Sequence, residues 1–171
     1  VTDPRYNQAL SAFYTDCVAQ LAEIAAKGED VVVLCEGDPF FYGSFMHLYT
    51  RLNGSTPVEV VPAITGMSAA WTATGMPVTW GDDVLTVLMG TLSEKDLVRR
   101  MADTDALVVM KIGRNMDKVR QALHAAGRYD DAWLVEYAAM PNQRVRRMDQ
   151  VGDGVAPYFS IIVVHGRGRR P

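Results

Sequence analysis

Cysteine is scarce in this sequence, and neither sign of charge is in large excess. Its 171 residues include two cysteines, Cys17 and Cys35, which are too few for a disulfide framework or a cysteine-rich metal site. Both lie among apolar residues, so we interpret them as small core side chains of a cytoplasmic protein. The formal net charge of -3 argues against nucleic acid or an anionic membrane surface as the main partner.

Other sequence features that define large protein classes are also lacking. No run approaches the ~18 consecutive apolar residues of a membrane-spanning helix. The three histidines, His47, His124 and His165, do not have the spacing of metal ligands, so we expect no metal site. The chain contains neither a Walker-type phosphate loop nor a Gly-x-Gly-x-x-Gly fingerprint, and no nucleophile elbow. These absences argue against P-loop nucleotide hydrolysis, Rossmann-type dinucleotide binding and α/β-hydrolase chemistry.

The first half of the sequence alternates between helical and strand patterns. Apolar residues recur every three or four positions from Tyr6 to Ile24, which predicts a helix that starts at Asp3-Pro4 and ends at Gly28. Two shorter helices are predicted from Phe45 to Leu52 and from about Met67 to Thr74. The apolar runs at 31–35 and 58–61 are typical of strands buried on both faces, so we predict a parallel sheet here.

The second half predicts a different kind of sheet. Strands are predicted at 84–88 and 106–111, with a helix after Ser93 between them and a helix at 115–126 after them. Three more strands follow closely at 132–137, 143–148 and 159–164 without a long helix between them, which favours a mixed or antiparallel arrangement. The pattern pauses near residues 77–81. We therefore predict two α/β domains, at 1–80 and 81–171.

Two strand ends are candidates for a ligand site. The run at 31–43 passes from a predicted strand through Gly37-Asp38-Pro39 into a helix, and the run at 60–70 passes from a strand into a helix of small side chains. Ligands of open α/β sheets bind beyond the carboxyl ends of strands. Asp38 is equally well explained as a helix N-cap, and the alanines as residues that allow close packing. Together the two turns favour a ligand site without naming the ligand.

Five segments resemble, in order, the conserved segments of the tetrapyrrole (corrin/porphyrin) methylases. Residues 34–44 read Leu-Cys-Glu-Gly-Asp-Pro-Phe-Phe-Tyr-Gly-Ser, a form closest to the precorrin-2 branch of that family. The other similar segments are 60–70, 110–115, 135–145 and 157–166. The resemblance covers nearly the whole chain. One small departure is Ala63, where many members have glycine.

The resemblance implies a two-domain fold of the class III S-adenosylmethionine-dependent methyltransferases. The implied reaction moves a methyl group from S-adenosylmethionine to carbon 20 of precorrin-2, which gives precorrin-3A in cobalamin biosynthesis. A homodimer is the implied state. The positions that match cofactor contacts of the family are Glu36, Gly37, Asp38, Phe41, Thr65, Gly66, Ile112, Ala138 and Ser160. Arg51, Arg114 and Arg144 are candidate partners for the carboxylates of the substrate. No residue identifies itself as a catalytic base.

One departure from the family is large, and it leaves other functions open. Members open with a strand and a Gly-Pro-Gly-Asp turn, and this segment does not occur in the sequence, so we expect a fragment of the first domain. The alternatives are a methylase of the cobalt-containing analogue of precorrin-2 or of another tetrapyrrole position, a noncatalytic α/β binding module, and a protein or ribosomal RNA methylase of the same fold. The low net charge and the precorrin-2 form of residues 34–44 argue against the last.

Overall fold

The computed structural model describes residues 3–168 of the chain, which contain five α-helices and one five-stranded sheet. Contacts divide the chain into two compact units, Val1–Thr65 and Gly66–Pro171. We call them unit 1 and unit 2. The domain boundary predicted between residues 80 and 81 stays a prediction; the contacts separate the units earlier in the chain. Among the described residues, no helix has both the length and the apolarity that crossing a bilayer requires.

Unit 1 begins with two helices whose ends follow the local sequence. Helix α1 spans Pro4–Ala26, and the Asp3 side chain accepts a hydrogen bond from the Arg5 N–H at 2.9 Å. Just beyond its end, Gly28 has φ = 80°, a conformation that glycine adopts at little cost. Helix α2 spans Phe45–Leu52. Both helices confirm the prediction from periodicity.

Helices α1 and α2 contact each other through polar and aromatic side chains. The Tyr14 and His47 rings lie 4.8 Å apart between centroids, and the Arg51 guanidinium lies 5.9 Å from the Tyr14 ring centre. Arg51 also donates hydrogen bonds to the His47 carbonyl at 2.8 Å and to Ser11 Oγ at 3.3 Å. Leu52 is the one buried hydrophobic residue in the described part of unit 1. The unit is therefore held by few buried apolar contacts.

The two strands predicted in the first half are not formed, so that part of the prediction was wrong. Residues 31–35 and 58–61 are irregular, and no residue of the described part of unit 1 belongs to a strand. The side chains of residues 31–35 are exposed, with Leu34 at 90%; in the second segment Val61 is 70% exposed, and Val58 and Val60 are half-buried. A strand exists only when a neighbour supplies hydrogen-bond partners for its backbone, and neither segment finds one among residues 3–65.

Unit 2 contains the sheet and the remaining helices, close to their predicted places. The helices are α3 (Gly66–Ala73), α4 (Glu94–Ala102) and α5 (Met116–Ala125), and the strands are β1 (Leu85–Met89), β2 (Ala106–Met110), β3 (Ala132–Glu136), β4 (Arg144–Arg147) and β5 (Ser160–Val164). Helix α4 is capped by Ser93, whose Oγ accepts the Asp96 N–H at 3.2 Å and donates to the Asp96 carboxylate at 2.7 Å. The hydrogen bond that the Ser93 hydroxyl donates lowers the pKa of the Asp96 carboxylate.

The sheet is mixed, as its closely spaced last strands predicted. Its order is β1-β2-β5-β3-β4, with β1 and β2 parallel and β5 antiparallel to both of its neighbours. Strands β2 and β3 therefore run in the same direction, with β5 inserted between them. As a result the carboxyl ends of β1, β2 and β3 lie at one edge of the sheet, together with the first residue of β5.

Helices α4 and α5 pack on one face of the sheet, and helix α3 packs on the other. The larger core packs β-strand residues such as Leu107, Leu134 and Ile162 against α4 and α5, and these three side chains are at most 1% exposed. The smaller core joins Val135 and Val163 to Ala70 of α3. Alternate residues of one strand face opposite sides, which explains why β3 contributes to both cores.

Candidate functional site

In unit 1, Asp38 connects the two turns that the sequence singled out. One carboxylate oxygen accepts the Phe40 N–H at 2.9 Å, and the other accepts the Ala63 N–H at 3.1 Å. The predicted meeting of these turns is confirmed even though the strands before them are not formed. A carboxylate has about four acceptor positions, so Asp38 retains capacity for a further donor.

The other predicted contact residues of unit 1 lie around this junction. Gly37 has φ = 88°, which a side chain would strain, and it lets the chain turn before Asp38. The Phe41 N–H donates to the Asp38 carbonyl at 3.1 Å, and the Phe41 side chain is half-buried. Glu36 is exposed, and Thr65 is half-buried at the end of the unit. Unit 1 thus offers a backbone turn rather than a set of converging side chains.

In unit 2, four predicted contact residues lie at the same end of the sheet. Ile112 follows β2, Ala138 follows β3, and Ser160 opens β5 between them. Gly66 begins α3, and a Cβ placed on it would lie 3.7 Å from Ile161 Cδ1, next to Ser160. The edge where parallel strands end is where open α/β sheets bind their ligands. The sheet topology therefore groups residues that are up to 94 positions apart in sequence.

The chain leaves β2 and β3 by the same unusual turn. Lys111 has φ = 55° and Tyr137 has φ = 52°, both in the left-handed region that side chains disfavour. Each of these residues directly precedes a predicted contact residue, Ile112 or Ala138. A left-handed residue other than glycine costs about 1–3 kcal/mol, and such strain is concentrated at functional sites. Sequence reasoning missed both because neither is a glycine, the usual signal.

The turn after β2 is braced by the end of β1. The Gly90 N–H donates to the Met110 carbonyl at 2.7 Å. A Cβ added to Gly90 would lie 2.9 Å from the Lys111 carbonyl oxygen and 3.1 Å from Ile112 Cα. No side chain fits there without moving the backbone. The role of Gly90 was not predicted, although a glycine directly after a strand was a usable signal.

The predicted contact residues differ in what they can offer a ligand. Ile112 is 1% exposed as a whole residue and its side chain belongs to the larger core, so it offers little surface to a cofactor in this structure. Ser160 is 4% exposed, and its Oγ has no hydrogen-bond partner among the described residues. The Ala138 side chain is half-buried against the smaller core. Within residues 3–168, no hydrogen bond is made by its backbone N–H or C=O.

A partly buried ion pair lies next to these residues. Glu136, the last residue of β3, pairs with Ser160 in register and projects from the same face of the sheet. Its carboxylate accepts a hydrogen bond from the Arg146 guanidinium at 2.8 Å, with the Glu136 side chain 7% exposed and that of Arg146 35%. Both line a cavity of about 220 Å³ together with the loop from Val151 to Ala156. This pair was not predicted, and an isolated glutamate in an apolar strand was its one signal.

A larger cavity lies at the opposite edge of the sheet, away from every predicted contact residue. It has a volume of about 500 Å³ and is lined by Asp83, Asp105 and Asp131, which precede β1, β2 and β3, and by Arg128. The Arg128 guanidinium donates to the Thr104 and Asp105 carbonyls, both at 2.6 Å. Arg128 therefore holds the loop before β2. We interpret the residues around this cavity as residues that stabilise the fold rather than as a ligand-binding site.

The candidate arginines for the substrate are not equivalent. Arg51 is engaged in the contacts between α1 and α2 described above. Arg114 and Arg144 are exposed, and neither side chain makes a hydrogen bond or ion pair with the described residues. Arg114 and Arg144 are therefore the better candidates. Among residues 3–168, no three side chains of His, Cys, Asp or Glu are grouped so that they could hold a metal ion.

Comparison with known proteins gives matches along the chain. A family model described as Tetrapyrrole (Corrin/Porphyrin) Methylases matches residues 1–150. A relative from Sinorhizobium sp, named precorrin-2 C(20)-methyltransferase, is 48% identical over 169 residues, which cover 99% of this chain and 69% of the relative. The cobalamin biosynthesis protein CobIJ of Mycobacterium tuberculosis H37Rv is 45% identical over 165 residues, covering 96% of this chain and 32% of that protein.

A solved structure extends the match to the fold. The uroporphyrin-III C-methyl transferase of Thermus thermophilus, complexed with S-adenosylhomocysteine, matches with a TM-score of 0.63 and 25% identity over 89% of this chain and 73% of that one. The structure therefore defines a protein of the α/β class with one mixed sheet, and its candidate cofactor-binding residues in unit 2 lie at the strand ends. The chain belongs to the tetrapyrrole methylases.

Proposed function

We propose that this protein transfers a methyl group from S-adenosylmethionine to carbon 20 of precorrin-2 and so forms precorrin-3A in cobalamin biosynthesis. The observation that carries the proposal is the 48% identity, across 99% of the chain, to a relative named precorrin-2 C(20)-methyltransferase. The form of residues 34–44 supports the same branch. The chain spans 69% of that relative, so the activity is proposed for the natural full-length protein.

The cofactor contacts are part of this proposal. The residues proposed to hold S-adenosylmethionine are Glu36, Gly37, Asp38, Phe41, Thr65, Gly66, Ile112, Ala138 and Ser160. The unit 2 members fit such a molecule because the free backbone groups of Ala138 and the unpaired Ser160 hydroxyl can bond to polar atoms of a nucleoside. When bound, the cofactor supplies a methyl group on a positively charged sulfur, which is already a strong electrophile.

The protein has little covalent chemistry to perform in such a reaction. Its task is to hold the methyl donor and the nucleophilic carbon in line and to exclude water. Arg114 and Arg144 are proposed to bind substrate carboxylates, since a guanidinium pairs with a carboxylate through two parallel hydrogen bonds. The homodimer and the cytoplasmic location remain predictions, the first from the family resemblance and the second from the composition.

Calorimetry followed by a methylation assay tests the proposal. The natural full-length protein is titrated with S-adenosylhomocysteine and then incubated with S-adenosylmethionine and precorrin-2. We expect binding and a product heavier by one methyl group. Binding without methylation of precorrin-2 would transfer the function to cobalt-precorrin-2, another tetrapyrrole or a macromolecule. A well-folded protein that binds no S-adenosylhomocysteine would leave the noncatalytic binding module as the better account.

A further inference from the structure

The turn between β3 and β4 holds Ala138 between two strained residues. Tyr137 before it has φ = 52°, and Ala139 after it has φ = 61°. Left-handed conformations at residues other than glycine persist only where the surroundings enforce them. Relaxation of either residue would rotate the peptide groups of Ala138, whose N–H and C=O have no other partner among residues 3–168.

Backbone hydrogen bonds fix the two ends of this turn. The Tyr137 N–H donates to the Phe159 carbonyl at 2.8 Å, which ties the start of the turn to the segment before β5. The Met140 N–H donates to the Tyr137 carbonyl at 2.9 Å, and the Gln143 N–H donates to the Met140 carbonyl at 3.0 Å. None of these bonds involves the N–H of Ala139.

One side chain completes the turn. Gln143 Oε1 accepts the Ala139 N–H at 2.7 Å, across four positions of the chain. Gln143 is exposed, so this bond is not a by-product of core packing. The hydrogen bond gives a partner to the backbone N–H of Ala139, the second residue with a left-handed φ. Gln143 is therefore placed to keep Ala139, and through it Ala138, in the observed conformation.

We propose that Gln143 is a positioning residue for cofactor binding: it holds the Ala138 peptide groups in the orientation that accepts S-adenosylmethionine. The inference rests on the proposed function, because it gives Ala138 a cofactor to bind. Gln143 acts through Ala139 and does not contact the cofactor itself. An acceptor oxygen at the end of a side chain of this length is the required feature, so glutamate can replace glutamine and methionine cannot.

The experiment compares three substitutions at this position in the natural full-length protein. Gln143→Glu keeps the oxygen acceptor, Gln143→Met keeps the length without it, and Gln143→Ala removes both. Gln150→Ala is the matched control, because Gln150 is also exposed and makes no hydrogen bond to this turn among residues 3–168. The measurements are affinity for S-adenosylhomocysteine by calorimetry, KM for S-adenosylmethionine, kcat at saturating cofactor, and the melting temperature.

We expect Gln143→Met and Gln143→Ala to weaken S-adenosylhomocysteine binding about tenfold, because the hydrogen bond that holds Ala139 in its bound conformation is lost. The KM for S-adenosylmethionine should rise with kcat nearly unchanged, while Gln143→Glu and Gln150→Ala bind like the parent. A lower melting temperature with unchanged affinity in Gln143→Met would overturn the positioning role. A parent protein that binds no S-adenosylhomocysteine would instead overturn the proposed function, and this inference with it.

Discussion

At the scale of single residues, the site in unit 2 is shaped by backbone conformation more than by reactive side chains. Lys111 and Tyr137 turn the chain sharply after β2 and β3, and Ala138, which follows Tyr137, has backbone groups without a hydrogen-bond partner among residues 3–168. The motif was readable from the sequence, but the left-handed residues were not, because positive φ at a non-glycine depends on tertiary surroundings.

Gly90 tests whether the turn after β2 depends on a close approach of β1. Gly90→Ala places a methyl group 2.9 Å from the Lys111 carbonyl oxygen, which is backbone and cannot rotate away. We expect the free energy of unfolding to fall by about 1–3 kcal/mol. Affinity for S-adenosylhomocysteine should also fall, because Ile112 must shift. The measurements are urea unfolding and calorimetry.

Gly152→Ala is the matched control for Gly90→Ala. A Cβ added to Gly152 meets no atom within 4 Å, and its backbone is not left-handed. This substitution should leave stability and affinity unchanged or slightly improved. If Gly90→Ala and Gly152→Ala are equally stable and bind equally well, Gly90 does not brace the turn.

His165 predicts a pH dependence of stability. Its Nδ1 lies 3.0 Å from the Pro77 carbonyl oxygen and its Nε2 lies 3.0 Å from Thr74 Oγ1, so the ring joins the end of β5 to the segment after α3. Burial lowers the pKa of His165 below its ordinary value of 6.5. The unfolded chain therefore takes up a proton at higher pH than the folded chain, and stability decreases as the pH falls below about 6.5.

Substitution of His165 checks that pH dependence. His165→Gln cannot be protonated, so its unfolding free energy should vary less between pH 7 and pH 5 than that of the parent protein. Urea unfolding at several pH values provides the comparison. Identical pH profiles for the parent and His165→Gln would contradict the assignment.

At the scale of helices and strands, local signals predicted some elements and failed for others. Helix α1 could be predicted at both ends because Asp3, Pro4 and Gly28 act within one turn of the helix. Residues 31–35 have an equally clear pattern, yet they form no strand, because pairing depends on a second segment rather than on their own sequence. Periodicity reports which side chains prefer burial, and it does not supply the neighbour.

The pair between β3 and β4 gives a prediction at this scale. Arg146→Met leaves the Glu136 carboxylate buried without its partner, and the free energy of unfolding should fall by about 1–3 kcal/mol. The double variant Glu136→Gln with Arg146→Met removes the buried charge and should recover much of that loss. Denaturant unfolding of both single variants and the double variant measures the coupling.

Arg144→Met is the control for the pair, since Arg144 is on the same strand but its exposed side chain forms no ion pair among the described residues. It should change stability by less than about 0.5 kcal/mol. If Arg144→Met and Arg146→Met lower the free energy of unfolding equally, the loss reflects substitution in β4 in general, and the ion pair does not stabilise the fold specifically. Additive losses in the double variant would contradict coupling between Glu136 and Arg146.

At the scale of the whole molecule, the topology produces the site that the sequence could only suggest. The mixed sheet was predictable from the close spacing of the last three strands. The insertion of β5 between β2 and β3 was not, because it joins segments about 50 residues apart in the chain, and no local pattern reports such pairings. That insertion brings Ser160 between Ile112 and Ala138 and so assembles the candidate cofactor edge.

The position of the transferred methyl group tests the central claim most directly. The natural full-length protein would be incubated with precorrin-2 and S-adenosylmethionine labelled with carbon-13 in its methyl group, and the product examined by nuclear magnetic resonance. The account predicts one labelled methyl group, on carbon 20 of the macrocycle. A labelled methyl group on any other carbon, or none in the product of a protein that binds S-adenosylhomocysteine, would contradict it.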